Sequence, residues 1–192
     1  MVGFGHDSLV PRARFPVIEL LAISGSLRAA STNSALLAAI AYNAPPGCRV
    51  SVYDELGRLP IFNPDDEGER TPREAARLID AVTSADGIII SCPEYAHGVP
   101  GGMKNALDWL VSRDAAVGKP AMLVHASARS LYARAALAEI MLTMSFAMYE
   151  DVLEIALLGK KPAEVEMILG DDANRHAMRE AVQGLVGFIG GR

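Results

Sequence analysis

The sequence predicts an α/β fold built on a parallel sheet, and three observations carry that prediction. Short apolar runs alternate with stretches in which apolar residues recur at helical spacing, the pattern of strand–helix–strand units. Several of the apolar runs are nearly continuous, as buried parallel strands are. The 192 residues, 51% of them hydrophobic and 21% charged, suit one domain with a sizeable core.

In order along the chain, Val17–Ser24 is apolar apart from Glu19 and reads as the first strand. Arg12 and Arg14 ahead of this run give it a faint look of a signal peptide, but Glu19 interrupts a core that is already short. Residues 1–15, with Gly3, Gly5 and Pro11 and no periodicity, read as an N-terminal extension, leaving 16–192 as the domain. Ser34–Tyr42 is a helix facing inward through Leu36, Leu37 and Ile40, and Pro45-Pro46-Gly47 stops it. Arg49–Tyr53 is a short strand. Leu59-Pro60-Ile61-Phe62 forms an apolar plug within the loop 57–68. Thr71-Pro72-Arg73-Glu74 has the form of a capping box with proline at the first helical position, opening a helix to Ser84. The run 86–92 is a third strand, and Met103–Val111 a helix. Ala121–Ala126 is a fourth strand. Leu131–Met148 reads as one helix, apolar nearly all round and so expected to be covered on both sides. Asp151–Leu157 is a fifth strand and Ala173–Ile189 a closing helix, with 159–172 unassigned.

Five strands in strict alternation with helices suit a flavodoxin-like three-layer sandwich, its sheet in the order 2-1-3-4-5 with right-handed crossovers. In open sheets of this kind ligands bind beyond the carboxyl ends of the strands. That directs attention to the loops after the first, third and fourth strands.

The first of these, Ser24–Asn33, holds Ser24, Ser26, Ser31, Thr32 and Asn33 with Arg28. Capping of the following helix would account for one such residue. So many hydroxyl and amide groups, with a cation, exceed that need and suit an anion at the helix N-terminus. Neither G-x-G-x-x-G nor a P-loop occurs, which disfavours the commoner nucleotides. The second loop, Pro93–Gly102, has Tyr95 near its start and three glycines that let the backbone approach a ligand. A phosphate at the first loop and a flat ring at the second describe flavin mononucleotide (FMN).

Together, GSLRAASTN and PEYAHGVPGGMKNALDW resemble the NAD(P)H-dependent FMN reductase family, whose members include quinone, azo-dye and chromate reductases; the likeness in strand–helix order covers roughly residues 17–189. The resemblance implies FMN as cofactor and NADPH or NADH as co-substrate. Ser26, Arg28, Ser31 and Asn33 match the phosphate loop. Pro93, Glu94 and Tyr95 match the segment along the ribityl chain and ring, continued by His97 and Gly98, and Ser127 stands in the loop after the fourth strand. It implies ping-pong reduction of a flavin, quinone, azo compound or oxyanion, with no catalytic side chain. It also implies a homodimer or homotetramer through segments 100–113 and 131–148, with Trp109 offered to the partner. One departure stands out: relatives often carry glycines after the fourth strand, where this chain has Ser127-Ala128-Arg129-Ser130-Leu131-Tyr132.

Other classes fit less well. The net charge of −5, without a basic block, argues against a nucleic-acid surface. No stretch reaches the roughly 20 apolar residues of a membrane span. Cys48 and Cys92 imply no disulfide framework, so a reduced cytoplasmic protein is expected. A zinc site from Cys92, His97 and His125 lacks the paired spacing such sites show, and no G-x-S-x-G elbow is present. The alternative that remains is a non-enzymatic FMN electron carrier, or a flavin-free interaction module, of the same fold.

Overall fold

A computed structural model describes residues 17–192; the extension expected at 1–15 lies outside the described residues. The strands are β1 (Ile18–Ser24), β2 (Cys48–Tyr53), β3 (Gly87–Ser91), β4 (Pro120–His125), β5 (Ala147–Met148) and β6 (Leu153–Glu154). The helices are α1 (Thr32–Tyr42), α2 (Arg73–Ser84), α3 (Gly101–Asp108), α4 (Leu131–Thr143), α5 (Pro162–Gly170) and α6 (Asp172–Gly190). All pairings are parallel and the sheet order is β2-β1-β3-β4-β5, with β6 also on β4. The order expected from the sequence is the order observed.

Alternation along the strands sorts the core into two layers. Leu21, Ile23, Ile88, Ile90, Ala121 and Leu123 face α2, α3 and α4. Leu20, Ala22, Ile89, Met122 and Val124 face α1, α5 and α6. Helices thus cover both faces, and strand ends are left free only at the rims.

Four details differ from the sequence reading. First, the run 131–148 is not one helix. Ser145 adopts a left-handed backbone (φ 64°), its N–H donating to Leu142 O and that of Phe146 to Met141 O. This is the Schellman ending, with serine where glycine is usual, and buried Met141 and Phe146 complete it. Second, the fifth strand is broken: Ala147–Met148 pairs with the start of β4 and Leu153–Glu154 with its end. Third, 162–170 is helical. Pro162 opens α5, and the Glu164 carboxylate accepts from the Lys161 N–H at 2.9 Å. Fourth, the capping box before α2 does not form. Pro72 is the N-cap without a side-chain bond, and the Thr71 hydroxyl donates to Gly68 O.

Trp109 is also not offered to a partner. It is fully buried, its indole N–H donating to Pro60 O at 2.8 Å and its ring meeting the edge of Phe62. Asn105 holds the same plug by donating to Pro60 O and accepting from the Phe62 N–H. The apolar residues on the outer side of α4 are uncovered within the chain: Leu131, Tyr132 and Leu142 are each more than half exposed.

Candidate functional site

The carboxyl ends of β1, β3 and β4 end side by side, Ser24 beside Ser91 and Ser91 beside Val124. Their loops enclose a cleft of about 460 Å³. Of the nominated residues, Ser26, Arg28, Ser31, Asn33, Pro93, Glu94, Tyr95 and Ser127 line it. His97 and Gly98 do not. Thr32, Ala126, Arg129 and Ser130 complete the three expected walls. A fourth wall, Leu158-Gly159-Lys160, was missed by the sequence reading. Its signal was there: a glycine and a lysine directly after the last apolar run, at the same end of the sheet.

The first loop is a web of local hydrogen bonds. The Ser31 hydroxyl accepts from the Ser34 N–H at 3.2 Å and so caps α1. Ser34 donates its hydroxyl proton to Ser24 Oγ at 2.9 Å. The N–H of Ser26 donates to Ser24 Oγ, and that of Arg28 to Ser26 Oγ, at 3.3 and 3.4 Å. Ser91 at the end of β3 donates to Asn33 Oδ1 at 2.9 Å, which fixes the carboxamide with its N–H groups as the remaining donors. Ser24, Ser26, Ser31, Asn33 and Ser91 are all buried. Gly25 is required here, because a Cβ at that position would lie 2.5 Å from Cys92 Sγ. The loop thus turns backbone and neutral side-chain donors toward the cleft beside the unpaired first amides of α1. Arg28, Arg129 and Lys160 add positive charge at the rim. Among the described residues neither Arg28 nor Arg129 has an ion-pair partner, and Lys160 is 4.0 Å from Glu164.

The β3 loop is built differently. Tyr95 N–H donates to Gly98 O (3.2 Å) and Gly98 N–H to Tyr95 O (3.0 Å), closing a two-residue hairpin. Both central residues are left-handed, Ala96 at φ 49° and His97 at φ 59°. Such turns favour Asn and Gly, and other residues there cost on the order of 1 kcal/mol each. The hairpin explains why His97 and Gly98 leave the cleft. Gly98 has its N–H engaged in the turn, and His97 is carried across to stack on Tyr132, centroids 4.3 Å apart and planes 21° apart. Tyr95 remains at the mouth, half exposed. Beyond it, Gly25, Leu27, Arg28, Pro100, Gly101 and Gly102 line an adjoining hollow of about 320 Å³, with Arg28 and Tyr95 shared by both spaces.

The Glu94 side chain also has a task of its own. Its Oε2 accepts from the N–H groups of Tyr132 and Ala133 at 2.9 and 3.0 Å, the second and third residues of α4. Ser130, the N-cap by position, makes no capping bond. Arg134 braces the same loop from behind, donating to Ser127 O and to Glu154 Oε2 (2.6 Å). Arg134 is therefore structural. Next to it His125 is buried, with Nδ1 unpaired. Burial, and secondarily the neighbouring Arg134 charge, push its pKa down to about 4.

Neither cysteine is an activated thiol lining the cleft. Burial pushes the Cys92 thiol up to about 12, and Cys48 to about 11. Among the described residues no group of three or more His, Cys, Asp or Glu side chains could hold a metal ion, and no helix is long and apolar enough to cross a membrane.

The donor set fits FMN: hydroxyls, an amide, helix N-terminal N–H groups and cations at one end, an exposed aromatic ring and glycine backbone at the other. Comparisons with known proteins agree. The chain is 38% identical over 114 residues to an NAD(P)H-dependent FMN reductase of Pseudomonas aeruginosa, a match covering 58% of this chain and 60% of that protein. It is 31% identical over 109 residues to a quinone reductase of Escherichia coli, covering 55% and 58%. The chain thus spans somewhat under two thirds of the length of these curated relatives. Among solved structures, the flavoenzyme FerB of Paracoccus denitrificans, an NAD(P)H:(acceptor) oxidoreductase, shares the fold at a TM-score of 0.76 and 24% identity, over 91% of this chain and 98% of that one. With residues 18–156 matching the family described as NADPH-dependent FMN reductase, the chain belongs to that family.

Proposed function

We propose that this protein binds FMN across the ends of β1, β3 and β4 and passes reducing equivalents from NADPH or NADH to a small-molecule acceptor. The observation that carries the reading is the convergence of buried Ser26, Ser31 and Asn33, the α1 N-terminus and three cations on one cleft that ends at Tyr95. When bound, FMN would supply the hydride chemistry; the protein's part is binding, orientation and electrostatics.

The residues divide that work. Arg28 offsets the phosphate charge from an exposed position, and Ser26, Ser31 and Asn33 donate neutral hydrogen bonds from buried ones. Pro93 and Tyr95 border the ring, and Ser127 and Ser130 face them across the cleft. The mouth stays open, so a nicotinamide and an acceptor take turns at one place. That is ping-pong turnover, and it needs no acid or base. The names of the relatives favour a quinone, with flavins, azo compounds and oxyanions as further candidates. Two reduced cysteines support a cytoplasmic setting. The uncovered Leu131, Tyr132 and Leu142 on α4, with Val111 after α3, support a homodimer or homotetramer through these segments.

Titration with FMN, followed by fluorescence quenching, tests the site. Arg28→Ala should weaken FMN binding by roughly 1.5–3 kcal/mol, the worth of a charged hydrogen bond. Riboflavin, which lacks the phosphate, should bind wild type and variant alike. An unchanged FMN dissociation constant would remove Arg28 from the phosphate site.

A further inference from the structure

The cleft has two facing walls, Pro93–Tyr95 and Ser127–Ser130, and something must fix their separation. They belong to different strand–helix units. No hydrogen bond runs from one loop backbone to the other among those described. The second wall also lacks glycine, so its Cβ atoms limit how closely a ligand approaches.

Two side-chain contacts join the walls just behind the cleft, and both end on the first turn of α4. Glu94 caps that turn from a distant part of the chain, in place of Ser130. His97 stacks on Tyr132, whose N–H is one of the two that Glu94 accepts. The left-handed Ala96 and His97 are the turn that carries the imidazole there, so the unfavourable backbone and the stack belong to one device. Arg134 completes it by holding Ser127 O.

We propose that Glu94, His97 and Tyr132 form a clamp that sets the width of the flavin cleft. They are positioning residues: they act on the ligand through the loops they join. Glu94 thereby serves bound FMN through α4 rather than by touching the ring with its carboxylate. This inference rests on the FMN reading, and its test separates the two.

The first arm needs no flavin. Amide hydrogen exchange at Tyr132 and Ala133 should quicken at least tenfold in Glu94→Ala, with exchange in the β1 and β3 core unchanged. The second arm measures FMN dissociation. Glu94→Ala and Tyr132→Ala should each raise the dissociation constant about tenfold through a faster off-rate, and should alter the circular dichroism of the bound flavin band. Tyr132→Phe, which keeps the stack, should stay within twofold of wild type. The double variant Glu94→Ala/Tyr132→Ala should lose less than the product of the single losses, since both act through one turn. If Glu94→Ala does not fold, Glu94→Gln, which keeps one neutral acceptor, gives both readouts at smaller amplitude. Unchanged exchange at Tyr132 and Ala133 overturns the clamp. So does FMN affinity within twofold of wild type in Glu94→Ala and Tyr132→Ala, or a Tyr132→Phe variant as weak as Tyr132→Ala. A wild-type protein that binds no FMN, with the exchange effect intact, overturns the functional reading and the clamp's role in it, while leaving the Glu94 cap established.

Discussion

The loop after β1 and the hairpin after β3 sit a few ångströms apart and are stabilised in opposite ways. The first holds buried serines and an asparagine that bond one another and Ser91, and a glycine packed against Cys92, with residues 27–30 exposed between them. The second is exposed at its tip, closes through two hydrogen bonds between Tyr95 and Gly98, carries two left-handed non-glycine residues, and is anchored to α4 by Glu94 and His97. In the proposed FMN site the phosphate end is therefore complete in itself. The ring end depends on a neighbour. An anion needs fixed donors, whereas a site that exchanges nicotinamide for acceptor needs an open mouth.

The difference can be broken or sharpened from either side. The largest effect should come with acid. His125 stands behind the ring-end wall with its pKa depressed from 6.5 to about 4, mainly by burial. The unfolded chain binds a proton on this group at higher pH than the folded one does. The stability it contributes is thus present above about pH 6.5 and lost progressively as pH falls toward 4, roughly 2–3 kcal/mol in all. The loop after β1 contains no group that titrates in that window. Melting curves between pH 7 and 4 should show the loss, a His125→Leu variant should lack most of that slope, and local exchange should loosen near 125–134 before 25–33. A close second is Gly25→Ala, where the new Cβ would collide with Cys92 Sγ. A loss of about 1–3 kcal/mol in denaturant unfolding is expected, as for other overpacked sites; a neutral result would show that the first loop is softer than its hydrogen bonds imply. Ser31→Ala should cost about 1 kcal/mol by removing the α1 cap, readable as a lower denaturation midpoint, and should also weaken FMN binding. Smallest is Ala96→Gly, which should stabilise the hairpin by up to about 1 kcal/mol by relieving its left-handed backbone. A loss instead would mean that Ala96 makes contacts which outweigh the strain.

Much of this was legible in the sequence because it rests on short-range chemistry. Strand alternation and apolar runs pointed to the sheet order, and serines before a helix pointed to the loop that lines the cleft. What escaped had long-range or disguised causes. Ser145 ends α4 in a conformation that glycine usually signals, so the apolar run 131–148 concealed a turn and part of a strand. Trp109 sits at a helix position that looks polar, yet its partner is a loop 49 residues earlier. His97 and Gly98 stand two and three residues after Tyr95, and only the hairpin shows that they turn away from the cleft. Lys160 reaches it because β6 pairs with the end of β4; the strand at 151–157 is legible in the sequence, but the residues after it are unassigned there.

In the proposed function this cleft holds FMN, and NADPH or NADH reduces it there. Anaerobic titration of the FMN-loaded protein with each nicotinamide, watched in the visible flavin band, tests it directly. Bleaching by at least one of them, with colour restored on adding a quinone, is the predicted result. A bound flavin that neither nicotinamide bleaches would contradict the account and leave an electron carrier in its place.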